Sequence, residues 1–223
     1  DTTYLNLDEL PFPAWDLLPM EKYERIAAPH EGTSSPNEWR QLRHAPIMTS
    51  RGCPFRCSYC HISNEKDDSK LTGEIGVLRL KSVERVMAEI EMLRSLGVRR
   101  LYFEDDSLLA KKSRVSTIFE RVAGMGLSIA DINGVNLVHF LINKGSGKFE
   151  IDRDYLELLK SAGFSHIVFP VESASQRILD EYATAKLNHK QLDVVELVRI
   201  AADIGITCPI NMMIGFPDET ESE

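Results

Sequence analysis

No apolar run of about 18 residues or more occurs in the chain, so no segment reads as a membrane-spanning helix. Lys and Arg are not clustered. With 34 acidic against 26 basic residues the net charge is −8, which argues against a dedicated nucleic-acid surface. The opening Asp-Thr-Thr-Tyr has neither the charged region nor the apolar stretch of a secretory leader, so the four cysteines do not read as a disulfide framework. Proline is scarce after residue 54. Seven of the ten lie at or before Pro54, which makes the N-terminal part different in kind from the rest.

That proline-rich part, residues 1–44, reads as an extended, partly ordered linker, because Pro11, Pro13 and Pro19 are incompatible with helix interior or central strand. A short helix is predicted near residues 20–26, and Trp15, Leu17, Leu18 and Trp39 suggest packing onto a neighbour. From residue 45 onward short apolar runs alternate with amphipathic stretches. Strands are expected over 45–49, 98–103, 127–132, 166–171 and 206–214. Helices are expected after the N-caps Ser82 and Asp152, over 113–122, from about Ser175, and over 191–204, with Gly97, Gly163 and Gly205 as stops. Strands alternating with helices predict parallel βαβ units. The fold class expected is α/β, a partial parallel (β/α) barrel. Residues 134–150, with Lys144-Gly-Ser-Gly-Lys148, read as a loop insertion and flexible turn rather than a phosphate loop.

The chemistry concentrates at CPFRCSYC. Cys53, Cys57 and Cys60 put three thiols on one short loop, one fewer than a closed four-cysteine site. A centre with three protein ligands keeps one position free, and soft thiolates select iron–sulfur or zinc. A zinc site would need a fourth ligand, for which the adjacent His61 is available; an iron–sulfur loop fits the close spacing directly.

Cys-x3-Cys-x2-Cys with an aromatic residue, Tyr59, before the last cysteine resembles the signature of radical S-adenosylmethionine enzymes. The resemblance implies a TIM-barrel-like core over 45–223, here about five of six βα units and read as C-terminally truncated. It implies a 4Fe-4S cluster on the three cysteines, with S-adenosylmethionine on the fourth iron. It further implies reductive cleavage to methionine and a 5′-deoxyadenosyl radical that abstracts hydrogen. An electron donor such as flavodoxin or ferredoxin, an unidentified small-molecule or peptide substrate and a reducing, cytoplasmic setting follow from the same likeness. The segment 7–20 and Phe103-Glu104-Asp105-Asp106 are similar to cobalamin-dependent members, many of them methyltransferases, whose cobalamin domain is not in this chain. The alternatives are a cobalamin-independent member such as a methylthiotransferase, and a non-catalytic Fe–S or zinc protein.

Parallel barrels place their sites at the C-terminal strand ends. After the second strand, the resemblance to a glycine-glycine-glutamate motif gives Glu104 or Asp105 to the methionyl amine, although the glycines are absent. After the fourth, Glu172-Ser173 resembles a Gly-x-Glu-Ser segment with Pro170 at the glycine position, and Glu172 would accept from the ribose diol. Arg177 would pair with the methionyl carboxylate. After the fifth, Gly215-Phe-Pro-Asp218-Glu-Thr resembles a Gly-Phe/Leu-Pro-Gly-Glu-Thr turn. Ile214 and Gly215 would then back the adenine, and Tyr59 would cover its edge. Cys208, His139 and His166 are expected to be core or barrel-lining residues, and Met212 and Met213 core filling.

Overall fold

A computed structural model of the protein describes residues 6–23, 42–67, 75–183 and 186–223. Its centre is a parallel sheet in the order β1 (His44–Ile47), β4 (Arg100–Phe103), β5 (Ser128–Asp131), β8 (Phe164–His166). An isolated bridge from His166 to Thr207 carries the pairing onward to β9 (Phe169–Glu172) and β10 (Ile210–Met212), which are also parallel. All four residues of β4 are buried, as both faces of an inner strand of a parallel sheet should be. β1 is a described edge of the sheet, which tolerates the missing N–H of Pro46.

The helices lie where their apolar periodicity directs them. Helix α3 (Val83–Ser95) buries Val86, Ile90 and Leu93; α4 (Lys112–Val122) buries Val115, Ile118, Phe119 and Val122; α5 (Arg153–Ala162) buries Tyr155, Leu156, Leu159 and Ala162. Phe103, Phe119 and Phe164 meet at ring-centroid distances of 4.9–6.0 Å, locking strand to helix. The N-caps at Ser82 and Asp152 accept from the backbone N–H of Arg85 and Tyr155, and Ser175 caps α6 (Gln176–Tyr182) by accepting from Ile178. Gly163 and Gly205 end their helices in the left-handed conformation.

Four expectations change. Helix α7 runs Val194–Ile204 rather than from residue 191, because Asp193 accepts from Glu196 N–H and sets the start. The strand expected over 166–171 is split. Val168 N–H donates to the Asp131 carboxylate at 3.3 Å instead of to a neighbouring strand, and that diversion separates β8 from β9. The strand expected over 206–214 is regular only over Ile210–Met212. Lying beyond β9 with no further described neighbour, it leaves Met212 half exposed rather than in the core. Residues 141–151 form a hairpin, β6 (Leu141–Asn143) with β7 (Phe149–Ile151), and Lys144 to Lys148 is its turn.

The N-terminal segment is tied to α3. Asp8 accepts from Ser82 N–H, Arg85 donates to the Leu10 carbonyl and stacks on Phe12, and Leu7 is buried. Trp15 packs partly against the core, but Leu17 is 78% exposed and Leu18 is exposed, against expectation. The expected helix is present over Met20–Tyr23, while its continuation and Trp39 lie outside the described residues. Among the described residues no helix is long and apolar enough to cross a membrane.

Candidate functional site

The C-terminal ends of the parallel strands open on one cavity of about 360 Å³. The loop after β1 and β2 (Ser50–Arg51) contributes Cys53, Cys57 and Cys60 to its wall, with Tyr59 between them. The loops after β4 and β5 add Asp106, Ser107, Asn133 and Asn136. Strands β9 and β10 add Glu172 and Asn211, and Lys186 enters from the segment after α6.

Backbone geometry shapes the cysteine loop. Gly52 has φ +76°, and a Cβ there would stand 2.4 Å from the carbonyl oxygen of Val77, so only glycine fits without displacing the segment that leads into β3 (Arg79–Leu80). Gly52 N–H donates to Asp106 Oδ2 at 2.8 Å, and Cys53 N–H to the Gly76 carbonyl at 3.2 Å. On the other side Ser58 N–H donates to the Tyr182 carbonyl. Phe216 stacks on Tyr182 at 5.1 Å and meets Tyr59 edge-on at 5.6 Å, which docks the 215–220 turn over the loop. Asp218 in that turn has φ +62°, a conformation that glycine, the resembling residue, would take without strain.

All three thiols are free. Cys57 is buried, and burial pushes its pKa up, opposed chiefly by the charge of Lys186. The Tyr59 phenol is also buried, and burial together with the neighbouring Cys57 and Glu172 raises its pKa. His61, the residue available to a zinc site, is exposed at the start of α2 (His61–Asp67) and also lines the cavity. Among the described residues no three His, Cys, Asp or Glu groups gather around one point to hold a single ion. An iron–sulfur cluster asks for something different, since each thiolate binds its own iron and the sulfurs ring the cluster. Three free thiols around one cavity fit that donor set.

The acids after β4 divide. Asp105 is fully buried and outside the cavity wall. It accepts from Thr49 N–H at 3.0 Å, Thr49 Oγ1 at 2.7 Å and Ser50 Oγ at 2.6 Å. Burial raises its pKa while these bonds lower it. Arg114 braces the same segment by donating to the carbonyls of Thr49 and Lys81. Glu104 also lies off the wall. Its carbonyl accepts from Asn133 Nδ2, and its N–H donates to the Ile47 carbonyl. Asp106 is the acid of this run that lines the cavity.

Glu172 is 6% exposed and lines the cavity with φ +69°, strained for a residue other than glycine. Its carboxylate is paired with Lys186 Nζ, and its carbonyl is fixed by Met213 N–H at 2.8 Å. Ser173 is buried beside it, with Oγ accepting from Ser175 N–H and its carbonyl 3.0 Å from His189 Nε2. The other expected contacts stand apart. Arg177 is exposed and held by Glu223, Glu181 and the Asp218 carbonyl. Ile214 is 95% exposed, and Gly215 N–H donates to the Glu219 carboxylate. Cys208 packs partly against the core, where burial pushes its thiol up to about 12. His139 is half-buried, and burial beside Lys112 pulls it down to about 4.

Lys186, Asp106, Ser107, Asn133, Asn136 and Asn211 were not anticipated. Asp106 adjoins the acids that were considered, and Asn211 begins the segment read as the fifth strand end. Nothing local marks Lys186, because Glu172 reaches it across 14 residues of helix and loop.

A thiol-lined cavity at the strand ends of a parallel α/β core is the architecture of a cofactor-dependent (β/α) enzyme core. A model described as the radical SAM superfamily matches residues 47–223, and the chain belongs to that family of enzymes. It is 30% identical over 219 residues to an uncharacterised methyltransferase of Pyrococcus horikoshii, covering 98% of this chain and 40% of that protein. It is 28% identical over 216 residues to cytidylyl-2-hydroxyethylphosphonate methyltransferase of Streptomyces wedmorensis, covering 95% and 35%. Among solved structures it resembles the radical S-adenosylmethionine methyltransferase TsrM of Kitasatospora setae, solved with cobalamin and a 4Fe-4S cluster. That match has a TM-score of 0.59 at 16% identity, covering 88% of this chain and 37% of TsrM. The chain spans well under half the length of these relatives.

Proposed function

We propose that Cys53, Cys57 and Cys60 hold a 4Fe-4S cluster, that S-adenosylmethionine binds in the adjoining cavity, and that the site serves methyl transfer with cobalamin held by a part of the protein outside this chain. The observation that carries the reading is the ring of three free thiols on a cavity that also exposes the Glu172 carboxylate. A cluster held by Cys53, Cys57 and Cys60 would supply one-electron reductive cleavage of S-adenosylmethionine to methionine and a 5′-deoxyadenosyl group, with the electron coming from an external donor such as flavodoxin or ferredoxin.

The chain's own residues bind and orient. Glu172, buried and pre-set by the Met213 bond, accepts from two ribose hydroxyls by exchanging them for Lys186. Tyr59, fixed by Phe216, offers a ring edge to the adenine. Asp106 takes the methionyl ammonium in place of Glu104 or Asp105, because its carboxylate lines the cavity. The methyltransferase relatives support methyl transfer, and TsrM supports cobalamin as the partner cofactor.

The full-length protein, reconstituted anaerobically with iron and sulfide and given S-adenosylmethionine and dithionite, is expected to release 5′-deoxyadenosine and methionine. Cys57→Ala is expected to lose both the cluster and the products. Purified protein that holds zinc and no iron, or cleavage retained by Cys57→Ala, overturns the reading.

A further inference from the structure

Among the described residues lining the cysteine cavity, Lys186 is the one lysine or arginine. Arg177, the cation the sequence pointed to, is spent on acids at the exposed rim. The Lys186 ammonium pairs with Glu172, and the two side chains are only 16% and 8% exposed, so solvent screens the pair weakly. The backbone of Glu172 is pinned by Met213, which keeps the carboxylate at the wall of the cavity that Lys186 and Cys57 also line.

An iron–sulfur cluster gains negative charge on reduction. A fixed cation near a ligating thiolate therefore favours the reduced form, and a nearby anion opposes it. We propose that, in the absence of S-adenosylmethionine, the Lys186–Glu172 pair sets the reduction potential of the cluster held by Cys53, Cys57 and Cys60, with Lys186 raising it and Glu172 tempering that effect. Lys186 is thus a positioning charge rather than a catalytic residue. The inference rests on the cluster assignment above.

The test is an anaerobic redox titration of the reconstituted full-length protein, followed by the electron paramagnetic resonance of the reduced cluster, with iron and sulfide content measured in parallel. Lys186→Met is expected to shift the midpoint to more negative potential, Glu172→Gln to more positive, and Lys186→Arg to stay close to the parent. A midpoint unmoved by Lys186→Met, or shifts of the same sign in Lys186→Met and Glu172→Gln, overturns the proposal. Should Lys186→Met take up no cluster, Glu172→Gln decides alone, and its midpoint must rise. Failure of the parent protein to hold a 4Fe-4S cluster overturns the underlying assignment instead, and the iron and sulfide content tells the two failures apart.

Discussion

At the end of β4 the carboxylate of Asp105 turns inward and is used up by three donors of the segment leaving β1. At the end of β9 the carboxylate of Glu172 faces the cysteine cavity and has one charged partner, the ammonium of Lys186. Both acids are buried at the C-terminal end of a parallel strand. Their difference lies in who satisfies them. Asp105 is bonded by rigid backbone and short hydroxyls that have no alternative, so it holds β1 and the cysteine loop together. Glu172 is bonded by the tip of a long side chain that can swing away, so its acceptor capacity is available to an arriving ligand.

Three substitutions probe that contrast. Removing the inward acid should do the most damage. Asp105→Ala strands the N–H and hydroxyl of Thr49 and the hydroxyl of Ser50 in a buried setting. With about 1–3 kcal/mol per unsatisfied donor, partly relieved by relaxation, a loss on the order of 3 kcal/mol is expected in chemical denaturation. An unchanged midpoint of unfolding, accompanied by weakened binding of S-adenosylmethionine, would reverse the roles assigned to the two acids.

Glu172→Gln should behave oppositely. Its destabilisation is expected to stay near 1 kcal/mol, because the amide oxygen still accepts and Lys186 can reach cavity water. Affinity for S-adenosylmethionine should fall about tenfold or more, equivalent to about 1.4 kcal/mol, in calorimetric titration of the reconstituted protein.

A third strand-end acid brings pH into the comparison. Asp131 is 1% exposed and accepts from Gly134 and Val168 N–H, and burial lifts its carboxyl to about 8. The unfolded chain ionises this group near 3.8, whereas the native state keeps the proton to about pH 8. The stability it contributes is therefore fully present below pH 3.8 and declines as pH rises through about 8. Asp131→Asn, neutral throughout and of similar shape, should flatten that decline, so thermal melts of variant and parent should diverge with rising pH. Parallel curves across this window would show that Asp131 ionises normally.

The comparison of the acids also shows how far the sequence was legible. A run of Glu104-Asp105-Asp106 after an apolar strand announces carboxylates at a strand end, but strand alternation and the turn that follows decide which one points inward. Asp105 faces the Thr49 segment and Asp106 the cavity, a distinction set by the path of the chain between β4 and α4. Helix caps were readable at Ser82 and Asp152 because capping is local, within three residues. The break between β8 and β9 was not, because it depends on a bond donated by Val168 N–H to the Asp131 carboxylate across 37 residues.

The sequence by itself determined the parts that depend on residue type and short spacing: three thiols on one loop, alternating βα units, the caps and the glycine stops. These follow from covalent geometry, backbone preference and apolar periodicity, which act within a few residues. Only the tertiary structure decided which acid of the run lines the cavity, that Arg177 is occupied elsewhere, and that Lys186 pairs with Glu172 at the wall the cysteines share. Those outcomes depend on which side chains meet across the strand ends, and contacts between residues far apart in the chain leave no local mark.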